Sequence, residues 1–159
     1  MYLNKINLFL VISICLIFFF LTYFDVKSSE LTIIDGDTIH LNGEKIRFSG
    51  IDSPEIKQTC NKNNEIVKCG IQAKELLVKK IGNNKVNCVR EGKDQYKRTL
   101  AECFVNDLSL SSYLVKSGYA FAYRKYSKKF IEDEDFARLN NLGMWSMNFE
   151  YPWDWRKNN

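Results

Sequence analysis

Acidic side chains occur in two short clusters of this chain. Asp35 and Asp37 flank a glycine in the first cluster, and Asp52 and Glu55 lie in the second, in the order Asp-Ser-Pro-Glu. Residues two apart on an extended strand point to the same face, so Asp35 and Asp37 can act together. An Asn42-Gly43 pair between the clusters predicts a hairpin that folds the second cluster back towards the first. Converging carboxylates are the donor set of a hard cation, so the sequence predicts a cation site here.

Two arginines accompany these acids. Arg47 lies shortly before Asp52, and Arg98 belongs to a separate Tyr-Lys-Arg turn. Guanidinium groups beside a carboxylate-bound cation suit phosphate, an anion that binds both. In phosphodiester hydrolysis such cations stabilise the transition state, and a nearby carboxylate orients or deprotonates the attacking water. A structural interpretation stays open, because Asp-Gly is common turn chemistry and both arginines could form structural salt bridges.

Composition narrows the possible chemistry further. The 159-residue chain contains a single histidine, His40, which excludes a serine–histidine triad with a spare base and a multi-histidine zinc site. We interpret His40 as a structural strand residue. The formal net charge of +4 is compatible with a polyanionic partner.

The elements that must position these residues are predicted from hydrophobic spacing and turn residues. Strands first and helices later indicate an α+β domain with a small, closed sheet. The predicted strands are 31–34, 38–41, 44–51, 85–90 and 99–105. The predicted helices are 71–81, a helix N-capped by Asp107 that runs to Lys116, and 130–142.

Three segments together resemble the thermonuclease family, whose members are staphylococcal nuclease-like. They are Ile-Asp-Gly-Asp-Thr (34–38), Arg-Phe-Ser-Gly-Ile-Asp-Ser-Pro-Glu (47–55) and Asp-Gln-Tyr-Lys-Arg-Thr-Leu-Ala (94–101). Their order and spacing agree with the family, and the resemblance covers about residues 31–155. It implies an α+β fold, namely a five-stranded OB-fold β-barrel with three helices. It also implies a monomeric, calcium-dependent phosphodiesterase that acts on DNA and RNA.

The resemblance implies a role for each matching metal-site residue. Asp37 and Asp52 match the direct Ca²⁺ ligands, and the backbone carbonyl of Ser53 matches a third. Asp35 matches a residue that supports the metal without binding it. The family usually has threonine at position 53, but serine keeps both the carbonyl and the hydroxyl group.

Catalytic and substrate-binding roles follow in the same way. Arg47 and Arg98 match the family's two catalytic arginines, and Glu55 matches its water-activating carboxylate. Tyr96 matches a tyrosine that contacts phosphate. Tyr123 matches a second such tyrosine less closely, because its spacing from the preceding glycine differs by one residue.

One departure from the family concerns the turn that carries Arg98. The family usually has glycine where this chain has Lys97. A lysine there must either adopt an unfavourable positive φ or form a less strained turn. The identity of Arg98 is unaffected, but its position depends on that turn.

The N-terminal segment is predicted to direct the chain out of the cytoplasm. Residues 8–24 carry no charged side chain, as in a signal-peptide core or a short membrane anchor. We therefore expect residues 1–28 to be a cleaved signal peptide or a retained anchor, and residues 29–159 to be the nuclease-like domain. The domain would then be secreted or periplasmic, or attached to a membrane by residues 8–24.

Four cysteines lie in the predicted exported part. Cys88 and Cys103 belong to strands that flank one turn, and Cys60 and Cys69 flank a polar loop. We predict disulfides between 60 and 69 and between 88 and 103. A zinc site is the alternative, but the spacings contain no Cys-x₂-Cys pair.

Two other functions stay open at this point. The chain could be a non-catalytic OB-fold module that binds nucleic acid, or an anchored structural protein that uses calcium for stability. The basic run 124–129 suits single-stranded nucleic acid but also suits a solvated loop balanced by the acids of 132–135. We interpret Trp145, Trp153 and Trp155 as packing residues rather than base-stacking platforms.

Overall fold

A computed structural model describes residues 30–159 of the chain. The predicted signal peptide or anchor, including residues 8–24, lies outside the described residues. Among residues 30–159, no helix is both long and apolar enough to cross a membrane. The division of the chain at residue 28 therefore stays a prediction.

The main sheet mixes parallel and antiparallel pairs. Ten strands are described: β1 (Leu31–Ile33), β2 (Thr38–Leu41), β3 (Glu44–Phe48), β4 (Ile51–Asp52), β5 (Cys60–Lys62), β6 (Glu65–Val67), β7 (Asn87–Lys93), β8 (Thr99–Val105), β9 (Leu108–Ser109) and β10 (Phe121–Ala122). The sheet order is β1-β2-β3-β8-β7, with β9 added on β8. Strands β3 and β8 run parallel, whereas the other pairs are antiparallel. His40 lies half-buried in β2, as expected.

The predicted hairpin between β2 and β3 is confirmed. Asn42 and Gly43 both have positive φ, 53° and 81°, which a two-residue turn of this kind requires. The predicted strand 44–51 was too long, because Gly50 adopts φ 72° and turns the chain after Phe48. The next two residues form β4, which leaves the main sheet and pairs with β10. This break places Asp52 beside Phe121.

Four α-helices lie in the described part of the chain, one more than the sequence predicted. They are α1 (Cys69–Ile81), α2 (Leu110–Lys116), α3 (Ile131–Leu139) and α4 (Pro152–Asn158), with a 3₁₀ turn at Gly143–Ser146 between the last two. The additional helix is α4, which has proline at its first position, where the missing N–H costs nothing.

The predicted N-cap of α2 was wrong. Asp107 adopts φ 63° in the tight turn between β8 and β9. Ser109 caps the helix instead, because its hydroxyl oxygen accepts the backbone N–H of Ser112 at 3.3 Å. The short strand β9 thus displaces the start of α2 by two residues.

The core divides into a large and a small cluster. The large one packs the inner face of the sheet, including Ile39, Ile46 and Phe48, against Leu77 of α1 and Leu114 of α2. Burial of such side chains is the main favourable term in folding, each contributing roughly 1.5–3 kcal/mol. In the described residues no pairing joins β1 to β7, so closure into an OB-fold barrel stays a prediction.

The small cluster surrounds Phe121. The aromatic rings that pack directly on Phe121 are those of Trp145, Phe149, Tyr151 and Trp153. The packing role expected for Trp145 and Trp153 is therefore confirmed. Cys60 and Cys69 form one disulfide at the edge of this cluster, and Cys88 and Cys103 form another across β7 and β8, as predicted.

Candidate active site

The turn that carries Asp35 and Asp37 packs directly against the second acidic segment. The backbone N–H of Asp37 donates to Asp35 Oδ1 at 3.0 Å, and the backbone N–H of Ser53 donates to Asp37 Oδ2 at 2.8 Å. Gly36 permits this approach, because a Cβ atom there would lie 2.0 Å from the hydroxyl oxygen of Ser53. The structure thus brings the two acidic segments together, with Asp35 oriented towards the backbone of Asp37.

Arg47 lies between Asp37 and Asp52 and bridges them. Its Nη1 donates to Asp37 Oδ1 at 2.5 Å, and its Nη2 donates to Asp52 Oδ1 at 2.7 Å. Both carboxylates are buried, and the Arg47 side chain is only 14% exposed. Two buried carboxylates therefore share one guanidinium group.

Burial and charge act in opposite directions on this pair. Burial raises the pKa of Asp37 to about 6, although Arg47 opposes the rise and the charge of Asp35 adds to it. Burial lowers the pKa of Arg47, but the charges of Asp37 and Asp52 outweigh it and raise that pKa above its ordinary value. Burying ionised carboxylates at this site therefore costs free energy unless a cation lies beside them.

Glu55 follows Asp52 on a segment that tertiary contacts fix. The fully buried Gln58 accepts the backbone N–H of Glu55 at 3.2 Å and donates to the carbonyl oxygen of Glu150 at 2.6 Å. A Cβ atom on Gly70 would lie 1.8 Å from the carbonyl oxygen of Glu55, so α1 begins in direct contact with this segment. The backbone of Glu55 is therefore held, while its side chain stays half-exposed.

Arg156 of α4 reaches the same carboxylates from the far end of the chain. Its Nη2 donates to Asp52 Oδ2 at 2.7 Å, and its Nη1 donates to Glu55 Oε1 at 2.8 Å. Sequence reasoning missed this residue, because it lies outside the motifs that resemble the family. The Tyr151-Pro152 pair was the available signal, since proline after an extended residue often starts a helix.

Arg98 immediately precedes β8 and pairs with Asp94 rather than with the acids that Arg47 and Arg156 contact. Its Nε donates to Asp94 Oδ2 at 2.7 Å, and its guanidinium lies 5.5 Å from the ring centre of Tyr96, which is 71% exposed. In the parallel pairing of β3 and β8, Arg47 is the partner of Leu100, two residues after Arg98. Lys97 adopts φ 64°, the unfavourable positive value that is one of the two outcomes expected for a lysine at this position.

Tyr123 contacts Trp153, one of the aromatic residues that pack on Phe121. Its ring stacks on Trp153 with an interplanar angle of 3° and a centroid distance of 5.8 Å. Its backbone N–H donates to the carbonyl oxygen of Gly50, on the turn before β4. Arg124 of the basic run pairs with Glu134 at 2.5 Å, which matches the expectation of a loop balanced by the acids of α3.

The donor set of the site consists of hard oxygen atoms. The carboxylates of Asp37, Asp52 and Glu55 pair with two guanidinium groups, those of Arg47 and Arg156, and Asp35 contacts the backbone of Asp37. Among residues 30–159, no three acidic, histidine or cysteine side chains converge as a ready metal cluster. The guanidinium groups occupy the positions between the acids instead.

Comparison with known sequences identifies the family. Residues 45–147 match the family described as Staphylococcal nuclease homologue. The chain belongs to this staphylococcal nuclease family. The matched region runs from β3 to the 3₁₀ turn and so includes Arg47, Asp52, Glu55 and Arg98.

Relatives of this chain occur in plants and bacteria. "Probable staphylococcal-like nuclease CAN2" of Oryza sativa subsp. japonica is 31% identical over 140 residues, covering 86% of this chain and 36% of that protein. An "Uncharacterized endonuclease" of Haemophilus influenzae is 30% identical over 133 residues, 79% of this chain and 70% of that protein. "Succinoglycan biosynthesis protein ExoI" of Rhizobium meliloti is 28% identical over 120 residues, 73% and 63%. The chain thus spans about a third of the length of the rice relative.

Proposed function

We propose that this protein is a calcium-dependent nuclease that hydrolyses phosphodiester bonds of DNA and RNA outside the cytoplasm. The observation that carries the proposal is the bridge of Arg47 between the buried carboxylates of Asp37 and Asp52. Cation-binding acids and a phosphate-binding guanidinium are thereby held at one place. Membership of the staphylococcal nuclease family and the relatives named as nucleases support the same activity.

Asp37 and Asp52 would hold the calcium ion, with the backbone carbonyl of Ser53 as a further ligand. The residues fit this ion, because carboxylate and carbonyl oxygens are the donors that Ca²⁺ prefers. Burial of Asp37 agrees with the fit, because further positive charge beside a buried carboxylate stabilises its ionised form. Asp35 orients Asp37 through its backbone N–H. When bound, the ion would supply positive charge to the phosphoryl oxygens and lower the pKa of water.

The protein's own groups would do the rest of the chemistry. Arg47 and Arg98 would bind the phosphoryl oxygens and stabilise the charge that develops on them. Glu55 would orient or deprotonate the attacking water, for which its half-exposed carboxylate is accessible. Tyr96, exposed beside Arg98, would contact the phosphate, and Tyr123, which stacks on Trp153 of α4, would be a second tyrosine that contacts it.

The proposed compartment has separate support. Two disulfides are present among the described residues, and such bonds persist mainly in oxidising compartments. Secretion, a periplasmic location or attachment through residues 8–24 would all satisfy that condition. The five-stranded OB-fold barrel and a monomeric state, which the family resemblance implies, belong to the same proposal.

A cleavage assay tests the proposal. The purified chain is incubated with supercoiled plasmid DNA and with RNA, in CaCl₂, after EGTA treatment and after calcium is restored. We expect cleavage with calcium, loss with EGTA and recovery on readdition, together with a loss of about 10²–10³ in turnover for Glu55→Gln. Retarded migration of DNA in a gel without cleavage would instead support the non-catalytic binding module.

A further inference from the structure

Arg156 is the second guanidinium of the site and lies outside the residues matched to the family. We propose that Arg156 is a substrate-binding residue, which contacts the phosphodiester after a divalent cation has replaced it on Asp52. The inference rests on the proposed nuclease function, because both the cation and the phosphodiester belong to that function. It assigns a role to α4, which the sequence motifs leave without one.

Asp52 is engaged by guanidinium groups at both of its oxygens. Oδ1 accepts from Arg47 at 2.7 Å and from Arg156 at 3.2 Å, and Oδ2 accepts from Arg156 at 2.7 Å. The Asp52 side chain is fully buried. A cation that binds these oxygens must therefore compete with a guanidinium group for the same lone pairs.

Of the two arginines, Arg156 is the one that can yield. Arg47 is also anchored by Asp37 and by the carbonyl oxygen of Ile51, and its side chain is nearly buried. Arg156 is 37% exposed and extends from a seven-residue helix near the end of the sequence. Two positive charges at one carboxylate repel each other, and the more solvated one moves at lower cost.

A displaced Arg156 would remain at the site. It still faces Glu55, and α4 is held in place by Trp153, which stacks on both Tyr123 and Tyr151. The guanidinium donors released from Asp52 would then lie beside the cation, on the exposed side of the site. A phosphodiester binds a cation and a guanidinium fork together, so it is the anion that this arrangement favours.

Arg156 then affects cation binding and substrate binding in opposite directions. Before substrate binds, Arg156 competes with the cation and weakens its binding. Once the cation is bound, Arg156 strengthens the binding of substrate. A purely structural arginine would not produce this pair, because loosening the site would weaken both.

The test compares Arg156→Gln with Lys157→Gln. Both variants lose one positive charge from α4, but Lys157 pairs with Asp154 on the same exposed helix surface. CaCl₂ is titrated calorimetrically into each protein without substrate, and KM is measured for a dye-labelled DNA oligonucleotide at saturating calcium. For Arg156→Gln we expect calcium to bind about two- to fivefold more tightly, the scale of a partly exposed ion pair. We expect KM to rise about tenfold, the scale of a charge-assisted hydrogen bond.

Each outcome of this test either supports or overturns one part of the proposed role of Arg156. Lys157→Gln should match the wild type in both measurements, and Arg156→Lys, which keeps the charge but loses the fork, should have an intermediate KM. Unchanged or weaker calcium binding in Arg156→Gln would overturn the replacement step, and an unchanged KM would overturn the substrate contact. A wild type that neither binds calcium nor cleaves would overturn the proposed function as well. A wild type that cleaves while Arg156→Gln behaves like Lys157→Gln would overturn this inference alone.

Discussion

Gln58 accepts the backbone N–H of Glu55 through a side chain that is completely buried. The other end of the same amide donates to the carbonyl oxygen of Glu150, shortly before α4. One side chain thus connects the segment of the water-activating candidate to the C-terminal segment that carries Arg156. Both carboxylate-bearing and guanidinium-bearing parts of the site depend on it.

Gln58→Leu should therefore affect both stability and activity. The substitution keeps the volume but leaves the N–H of Glu55 and the carbonyl of Glu150 without this partner. We expect the free energy of unfolding to fall by about 1–3 kcal/mol, the cost of unsatisfied buried polar groups. Urea unfolding measures that change. Turnover per folded molecule should also fall, and unchanged turnover would show that Glu55 does not need this contact.

Arg47→Gln should lower stability as well as activity. From the sequence alone, an arginine in an open cleft is expected to matter little for folding. Its low exposure between buried Asp37 and Asp52 changes that expectation, because its loss leaves the buried carboxylate of Asp37 without an ion pair and that of Asp52 with Arg156 alone. We expect a loss of about 3 kcal/mol in urea unfolding with EGTA present, and a loss of about 10²–10³ in turnover.

Arg90→Gln is the matched control for that substitution. Arg90 pairs with Glu44 on the exposed surface of the sheet, and this pair does not include Asp37, Asp52 or Glu55. Its loss should leave turnover unchanged and stability nearly so, because exposed ion pairs contribute little. If Arg47→Gln and Arg90→Gln lowered stability and turnover equally, the buried position of Arg47 between two carboxylates would not be the cause.

The two disulfides should differ in what they support. Replacing either cysteine pair with serine should cost about 2–4 kcal/mol of stability, because the unfolded chain gains freedom. The Cys60–Cys69 bond joins the segment after Glu55 to the first residue of α1, whereas Cys88–Cys103 lies across β7 and β8. We therefore expect only the first double variant to lose turnover per folded molecule. Equal turnover in the two would argue against a positioning role for the 60–69 bond.

Lys97→Gly should stabilise the protein. Lys97 adopts φ 64°, which is costly for any residue with a Cβ atom and free for glycine. We expect a gain of about 1 kcal/mol in chemical unfolding. Lys97→Ala is the control, because it removes the charge but keeps the Cβ atom and should give no such gain.

Asp94 should contribute stability that depends on pH. Partial burial would raise its pKa, but hydrogen bonds from Arg98 and the positive charge of Arg98 hold the pKa below the ordinary 3.8. A carboxyl group whose pKa is lower in the folded state stabilises the protein above its unfolded pKa. That contribution is lost as the pH falls through the folded value. The unfolding free energies of wild type and Asp94→Asn should therefore differ at pH 7, begin to approach each other below about pH 4 and converge only below the lower pKa of the folded state. A constant difference across that range would exclude the ion pair as its cause.

Much of the site was predictable because its residues lie in short, local patterns. The Asn42-Gly43 turn, the acids around Gly36 and the second acidic segment define where the chain must turn and which groups it must bring together. The two disulfides followed from cysteines placed in predicted strands and around a predicted loop. Local patterns gave a wrong prediction where a short element intervened. Asp107 was predicted as the N-cap of α2, but the two-residue strand β9 follows it and the N-cap is Ser109.

The sequence by itself determined the family and the residue types of the site, because both depend on spacing along the chain. It predicted the pairing of the cysteines, and the structure confirmed that pairing over a zinc site. Only the tertiary structure decided that Arg47 is almost buried between Asp37 and Asp52. It also decided that Arg156 contacts Asp52, although the two residues are 104 positions apart in the sequence. Neither relationship leaves a local signal. Both depend on β4 pairing with β10 and on aromatic packing that seats α4 against Phe121. Such contacts between distant segments are fixed by the packing of the whole core, which no window of sequence contains.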